Sequence, residues 1–338
     1  MFSKFSKMVM ASFLAIGISA LSFPVYAAEQ PIQIKIGSPA PETLPFIPAF
    51  HEMANFIEKE SNGKYQVTVY PQYKLGTIST EMQGLQMGTI HFVHDGTNNI
   101  AQFIPLLGAF DYPYVFSNME QVNHIFSGDF EKRLMEKVSN KNLKCLGFAN
   151  STLRNMLTTK PAKNLDDIRK MKIRVTSSKV HVNSLKGMGI SVTPMPFSEV
   201  YTGIQQGVVE GLDPDYPYIA SMRFYEVAPY ALETNHMYSP QVLYTGVKWW
   251  NSLPEEDCKM FEKAVQLWLE KSDLLLEEEL ERSKQQCIDG GTTITTIDEA
   301  ELARWEEAAK PSYEMMTPAQ KELYNEIQTE LKSAGLKK

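Results

Sequence analysis

MKIRVTSSKVHVNSLKGMGISVTPMPFSEVYTGIQQGVVEGLDPDYPYI, residues 171–219, is the stretch that decides the fold. Apolar and polar residues alternate over Met171–Thr176, which is typical of a half-buried strand and puts Arg174 on that strand. Ligands of open α/β sheets bind in the crevice beyond the strand ends, so Arg174 is a candidate partner for a carboxylate. The pattern leaves open the alternative of a surface strand residue in an ordinary salt bridge.

The residues that follow predict the rest of a parallel α/β unit. Ser177 and Ser178 are good helix N-cap residues, and apolar residues at helical spacing come after them. A second strand is predicted at Ile190–Pro194 and a second helix at Phe197–Gln206. The order strand, helix, strand, helix in so short a stretch indicates a parallel sheet covered by helices.

The amino-acid sequence of this stretch also resembles that of a known protein family. KIRV at 172–175 and VTPMPFSEVYTGIQQGVVEG at 192–211 are similar, almost residue for residue, to the signature of DctP-type substrate-binding proteins of tripartite ATP-independent periplasmic (TRAP) transporters. The resemblance covers nearly all of the mature chain. It implies a periplasmic-binding-protein-like α/β fold, with two lobes around a ligand cleft, joined by crossover strands and a long spanning helix. It also implies that Arg174 forms a salt bridge with the ligand's carboxylate.

The first 28 residues have the features of a signal peptide. Lys4 and Lys7 precede an uncharged apolar run, Met8–Leu21, and the small-residue pattern Val25-Tyr26-Ala27 follows. The apolar run is too short for a spanning helix, and no cysteine for lipid attachment lies near the cleavage point. We therefore predict a mature protein in the bacterial periplasm, without membrane insertion.

The net charge of the chain restricts its possible binding partners. The chain has 33 basic and 40 acidic residues, and this acidic excess makes nucleic acid a poor partner.

A long helix is predicted at Glu255–Gln286, where Pro and Gly are absent. It would hold Cys258 and Cys287 about 43 Å apart at 1.5 Å per residue, far beyond the roughly 6 Å of a disulfide. With Cys145, we predict three free thiols.

The predicted elements and the resemblance suggest a division into lobes. Lobe I takes residues 29–151 plus 240–279, and lobe II takes residues 152–239 plus 280–338. A single helix is predicted at Gln121–Val138, and Asp298–Ala334 is predicted to be helical. The resemblance implies crossover segments near Asn150–Leu157 and Thr234–His236.

Further candidate ligand contacts come from strand ends and from the resemblance. Ile90–Val93 is a predicted buried strand that delivers His94 and Asp95 at its carboxyl end, although an ordinary buried histidine explains His94 equally well. The resemblance implies a second ligand-contacting arginine at Arg154. It also implies a packing contact from Phe197, for which a plain core position is the alternative.

One departure from the family pattern bears on the ligand. Family members commonly read DGQENP where this chain has EGLDPD at 210–215, so Pro214 replaces the usual ligand-bonding asparagine. A proline side chain cannot donate a hydrogen bond. We expect the neighbours Asp215, Tyr216 and Tyr218 to line the pocket instead, and an acidic side chain there would repel a second carboxylate. The polar pair Asn235 and His236, on the predicted return crossover, completes the candidate set.

Sequence motifs give no support for an enzyme. GxSxG, a phosphate-binding Walker loop and a complete GxGxxG are missing, and His51-Glu52 lacks the second histidine of a zinc protease because Asn55 stands there. We predict no catalytic residues, no metal and no cofactor. A secreted enzyme and a periplasmic ligand-sensing module for a receptor kinase remain as alternatives.

The resulting hypothesis is a TRAP solute-binding protein that closes over a small organic carboxylate. We expect a monocarboxylate with an aromatic, hydroxyl or amino group, delivered to the small and large membrane subunits of an ion-coupled permease. The resemblance implies that the protein is a monomer.

Overall fold

Eleven strands form two sheets in the computed structural model, which describes residues 30–337. The predicted signal peptide, residues 1–28, lies outside the described residues. The strands are β1 (Ile32–Gly37), β2 (Tyr65–Tyr70), β3 (Phe92–Gly96), β4 (Leu143–Ala149), β5 (Leu153–Thr158), β6 (Lys172–Val175), β7 (Ser191–Pro194), β8 (Gly211–Leu212), β9 (Tyr230–Tyr238), β10 (Gln241–Gly246) and β11 (Thr293–Thr296).

Helices cover both sheets. In chain order they are α1 (Phe46–Glu60), α2 (Ile78–Met87), α3 (Thr97–Ile100), α4 (Met119–Ile125), α5 (Gly128–Val138), α6 (Leu165–Arg169), α7 (Lys179–Gly187), α8 (Val200–Gln205), α9 (Tyr216–Ser221), α10 (Val247–Trp250), α11 (Glu255–Asp289), α12 (Glu299–Tyr313) and α13 (Pro318–Ser333). Short 3₁₀ turns occupy Pro105–Asp111, Phe197–Glu199 and Phe224–Glu226.

The strand order shows two lobes. The first sheet runs β2-β1-β3-β10-β4 and the second runs β11-β9-β5-β8-β6-β7; we call these sheets, with the helices packed on them, the first and second lobe. The chain passes from the first sheet to the second between β4 and β5, and returns between β9 and β10. The predicted two-lobed α/β fold with crossover strands is confirmed.

The central stretch folds as its pattern predicts. Strand β6 pairs in parallel with β7, and Arg174 lies opposite Thr193. The Ser178 side chain caps α7 by accepting a hydrogen bond from the backbone N–H of His181. Gly189, at a φ of +79°, turns the chain from α7 toward β7, a conformation that glycine adopts without strain. This local geometry fixes Arg174 on a short, rigid strand.

The long helix α11 spans both lobes. Near its start, Phe261 and Trp268 are buried in the core that α1 shares with the first sheet. Near its end, Cys287 is buried in a core of the second lobe. Cys258 and Cys287 lie close to opposite ends of this helix, and both are free, as is Cys145.

Two helical predictions differ from the structure. The predicted helix Gln121–Val138 is two helices, α4 and α5, because the chain leaves helical geometry at Phe126 and resumes at Gly128, whose φ is +64°. The predicted helical tail divides into α12 and α13, since Thr317 starts α13 with a capping box to Gln320.

The last helix also differs in the lobe it joins. The sequence predicts that residues 280–338 belong to lobe II, but Leu323, Ile327 and Leu331 of α13 are buried in a core with first-lobe residues such as Phe110. The apolar stripe of α13 is covered by the segment around Pro105–Asp111 rather than by the second sheet. No helix among residues 30–337 has both the length and the apolarity needed to span a bilayer.

Candidate ligand-binding site

A cavity of about 600 Å³ lies between residues of the two lobes. The first lobe contributes the side chains of Tyr73 and Asp95 and the second those of Arg154 and Arg174. The remaining lining is mostly polar or aromatic and includes Asn99, Gln102, Ser151, Met195, Phe197, Pro214, Asp215, Tyr218 and Gln241. A space of this size suits a small-molecule ligand.

A larger groove of about 1080 Å³ lies between α5 and α13. Its charged residues already pair with one another, Lys137 with Glu326 and Arg133 with Glu330. The groove is a shallow surface between two helices, whereas the cleft cavity collects buried charges from several strand ends. We therefore take the cleft as the candidate site.

Arg174 presents a buried guanidinium to this cavity. The residue is 5% exposed, and its Nε and Nη2 donate hydrogen bonds to the Met195 carbonyl at 3.0 and 2.7 Å. Its Cζ lies 5.8 Å from the centre of the Phe197 ring. Within residues 30–337 it forms no salt bridge, and burial lowers the pKa of Arg174 to about 10. The guanidinium is thus held in place while its charge lacks a carboxylate.

Arg154 lines the same cavity, but its charge is met inside the protein. Its Nη2 donates to Asp213 Oδ1 at 3.2 Å, and His181 Nε2 lies 2.6 Å from Asp213 Oδ2. His236 Nε2 is 3.6 Å from the same oxygen. Burial alone would raise the pKa of Asp213, but the charges of Arg154 and His181 outweigh it and hold that pKa well below its usual range. Asp213 is therefore an ionised partner of Arg154.

Asp95 stands at the carboxyl end of β3 and is held by donors from its own lobe. Tyr73 Oη donates to Asp95 Oδ2 at 2.5 Å, Asn99 Nδ2 donates to Oδ1 at 2.9 Å, and the Gly96 backbone N–H donates to Oδ1 at 2.7 Å. Burial raises the pKa of Asp95 to about 6, against the opposing effect of these hydrogen bonds. The carboxyl is fixed in orientation and has no basic side chain paired with it among the described residues.

Asp215 brings a second carboxyl to the cavity wall. It is the N-cap of α9, accepting a hydrogen bond from the Tyr218 backbone N–H at 3.1 Å, and the Ser151 hydroxyl lies 3.4 Å from its Oδ2. Burial raises the pKa of Asp215, although the charge of Arg154 acts in the opposite direction. Pro214 lines the cavity beside it, and its carbonyl accepts from the Asn155 backbone N–H at 2.9 Å.

Comparison with known proteins identifies the family of this chain. The model of the family described as bacterial extracellular solute-binding protein, family 7 (DctP), matches residues 36–320. The chain belongs to this family. The C4-dicarboxylate-binding periplasmic protein DctP of Rhodobacter capsulatus is 29% identical over 308 residues, which are 89% of this chain and 92% of that protein.

Solved structures of TRAP periplasmic solute binding proteins match most of this chain. A TRAP periplasmic solute binding protein of Haemophilus influenzae with bound L-gulonate is 28% identical, with a TM-score of 0.83 and coverage of 88% of this chain and 99% of that one. One from Chromohalobacter salexigens with bound D-glucuronate is 25% identical, with the same TM-score and coverage. The predicted resemblance is confirmed, and the chain is a solute-binding protein of the TRAP type.

Six of the ten predicted site residues of this DctP-family protein line one cavity. They are Asp95, Arg154, Arg174, Phe197, Pro214 and Asp215. Their assembly at one place agrees with the rule that ligands meet strand ends in open α/β sheets. Their contacts with a ligand stay a prediction.

The other four predicted residues lie outside the cavity lining. His94 points to the opposite face of β3 from Asp95, because side chains alternate along a strand, and its ring packs 4.7 Å from that of Phe46. Tyr216 is buried in a core of the second lobe, where its hydroxyl donates to Glu233 at 3.0 Å. Asn235 is exposed on β9, with a φ of +45°. His236 is fully buried behind the cavity, next to Asp213.

Sequence reasoning missed several residues that the fold brings to the site. Tyr73 is not among the predicted contacts, and the prediction names Pro214 rather than its neighbour Asp213. A signal for Asp213 was present, since it is an acidic residue directly after the buried Gly211-Leu212. The Met195 carbonyl, which holds Arg174, carries no side-chain signal at all. Within the described residues, no cluster of His, Cys, Asp or Glu has the arrangement of a metal site.

Proposed function

We propose that the protein captures one small organic monocarboxylate in the cleft, with Arg174 as its anchor. The observation that carries this proposal is the buried guanidinium of Arg174, which is fixed by the Met195 carbonyl and has no carboxylate partner. A bidentate ligand carboxylate would supply that partner, and the water-poor surroundings would strengthen the pair. Arg154 contributes a secondary contact, because Asp213 already takes up much of its charge.

The body of the ligand carries an aromatic, hydroxyl or amino group rather than a second carboxylate. Asp95 of the first lobe and Asp215 of the second supply two buried carboxyl groups to the cavity lining. Two like charges about 6 Å apart repel by about 3 kcal/mol at an effective dielectric constant of 20, which is about a hundredfold in affinity. L-Gulonate and D-glucuronate, the ligands in the two relatives described above, are hydroxylated monocarboxylates and support this choice.

Capture would be followed by delivery to a permease. Two lobes joined by crossover strands can close by hinge motion and present a changed surface to a membrane partner. The related structures are described as TRAP binding proteins, which favours the small and large TRAP membrane subunits over a receptor kinase as the recipient. We place the mature protein in the periplasm as a monomer, after removal of residues 1–28.

The experiment that tests the ligand class has two parts. Mass spectrometry of the small molecules released when the purified protein is denatured should find an organic acid with a single carboxylate. A thermal-shift panel should show stabilisation by hydroxy, amino or aromatic monocarboxylates and little by succinate or malate. Strong stabilisation by succinate or malate, with none from the monocarboxylates, would contradict the proposal.

A further inference from the structure

The cavity lining places two carboxyl groups beside two guanidinium groups. The guanidinium groups are those of Arg154 and Arg174, and the carboxyl groups are those of Asp95 and Asp215. Asp213 is paired with Arg154, and neither Asp95 nor Asp215 forms a salt bridge within residues 30–337. A bound carboxylate paired with Arg174 would therefore leave these two carboxyls without a salt-bridge partner.

The two cavity-wall carboxyls have hydrogen-bond donors but no salt-bridge partner within residues 30–337. Asp95 already accepts hydrogen bonds from Tyr73, Asn99 and the Gly96 backbone. Asp215 already accepts from the Tyr218 backbone and lies in reach of the Ser151 hydroxyl. A ligand hydroxyl would add one more donor to groups that have donors. An ammonium group would add the missing positive charge.

Both carboxyls stand near one aromatic ring. Tyr218 lines the cavity together with Asp95 and Asp215, and its backbone N–H donates to Asp215. Burial raises the pKa of Tyr218, and the charges of Asp215 and Asp95 raise it further. Tyr73, Phe197 and Tyr218 all line the cavity, and aromatic faces attract cations. Phe197 contacts both Arg174 and Tyr218, at 5.8 Å from the guanidinium carbon and 5.5 Å between ring centres.

We propose that the ligand is a zwitterion, with its carboxylate on Arg174 and an ammonium group between Asp95 and Asp215. This inference rests on the proposed function, because it takes Arg174 as the carboxylate anchor. It selects the amino member from the three ligand types that the proposed function allows. The linker between the two charged groups must fit a cavity of about 600 Å³.

Matched ligands that differ only in the terminal group test the inference. Calorimetric titration of ligand-stripped protein with 4-aminobutyrate, 4-hydroxybutyrate and succinate compares ammonium, hydroxyl and carboxylate on one carbon skeleton, and 6-aminohexanoate with 6-hydroxyhexanoate repeats the comparison at greater length. We expect the better of the two amino acids to bind at least tenfold more tightly than its hydroxy partner, and succinate to bind weakest.

Variants locate the ammonium contact. Asp95→Asn and Asp215→Asn keep hydrogen-bonding side chains, and Asn also retains N-cap ability at 215. Each should weaken binding of the amino acid at least tenfold while changing binding of its hydroxy partner less than threefold. Asp166→Asn removes the same charge from an exposed carboxylate paired with Arg304, and should change neither affinity. Circular dichroism and melting curves establish that each variant is folded.

The outcomes separate this inference from the proposed function. If the hydroxy acids bind as tightly as the amino acids, or if the two Asn variants affect both ligands equally, the zwitterion is wrong and the monocarboxylate site stands. If none of these carboxylates binds, nor any of the hydroxy and aromatic monocarboxylates of the thermal-shift panel, the proposed function fails together with the inference.

Discussion

Replacing Arg174 by methionine should separate the stability of the fold from the capture of the ligand. Burial lowers the pKa of Arg174 from an ordinary value of 12.5 to about 10. At 1.36 kcal/mol per pKa unit, the folded protein therefore holds the charged guanidinium at a disadvantage of about 3 kcal/mol relative to water. Methionine keeps most of the apolar stem without that charge.

The substitution also has an unfavourable part. It removes both hydrogen bonds to the Met195 carbonyl, and an unsatisfied buried carbonyl costs about 1 to 3 kcal/mol. The sum predicts that the free energy of unfolding of the ligand-free variant is unchanged or raised by up to about 2 kcal/mol. Affinity for the carboxylate should fall by about 2 to 5 kcal/mol, because the ligand's charge would be buried unpaired.

Arg169 offers a matched control. Its Nε and Nη2 donate to the Met188 carbonyl at 3.0 and 2.8 Å, the same fork on a carbonyl that Arg174 makes, but it also pairs with Asp166 and lies away from the cavity. Arg169→Met should lower the free energy of unfolding and leave ligand affinity unchanged.

Two measurements check this prediction. Urea unfolding followed by tryptophan fluorescence, on protein stripped of ligand, gives the stability of both variants. Calorimetry with the monocarboxylate that most stabilises the wild type gives affinity. A loss of more than about 2 kcal/mol of stability in ligand-free Arg174→Met, or binding within threefold of wild type, would refute the reasoning.

Three further predictions concern residues around the site and the core. Because burial raises the pKa of Glu81 to about 8, the contribution of this residue to the free energy of unfolding falls as the pH rises from about 4.5 to 8. In urea titrations the wild type should therefore lose more stability over that range than Glu81→Gln does. Parallel curves for the two proteins would contradict this prediction. Asp213→Asn leaves the Arg154 charge buried without its partner and should lower the free energy of unfolding by about 3 to 5 kcal/mol, and a value below about 1 would count against the pairing. Gly246→Ala would put a Cβ 1.9 Å from the Leu85 carbonyl oxygen and should lower the free energy of unfolding by at least about 2 kcal/mol, which an unchanged melting temperature would disprove.

The parts of the fold that sequence predicted are those set by short-range pattern. Alternation fixed the strand carrying Arg174, and the absence of Pro and Gly marked the helix that begins at Glu255. The sequence pattern does not predict the break between α4 and α5, because its helical period continues through Gly128. The side of the molecule covered by α13 was missed because an apolar stripe says that a helix is buried, not against which lobe.

The candidate site shows the same limit more sharply. Asp95 and His94 are neighbours at one strand end, and alternation required them to face opposite sides, but which side faces the cleft depends on how the lobes meet. Asp213 is part of the site because it contacts Arg154 and His181. These two residues lie far from Asp213 in sequence and reach it only in the folded chain. Ion pairs between residues that are distant in sequence cannot be predicted from the pattern of residues along the chain.

That pairing decides what the two cavity arginines can do. Arg154 and Arg174 are the same residue type on neighbouring parts of one sheet, and both line the cavity. Asp213 meets the charge of Arg154 within the protein, so a ligand that approaches Arg154 must share it with a carboxylate already in place. Arg174 is held only by a neutral carbonyl, and its burial without a counterion makes the ligand-free state unfavourable at this point. A carboxylate arriving at Arg174 relieves that penalty, and this is the physical reason for expecting binding energy to concentrate on Arg174 rather than to divide equally between the two.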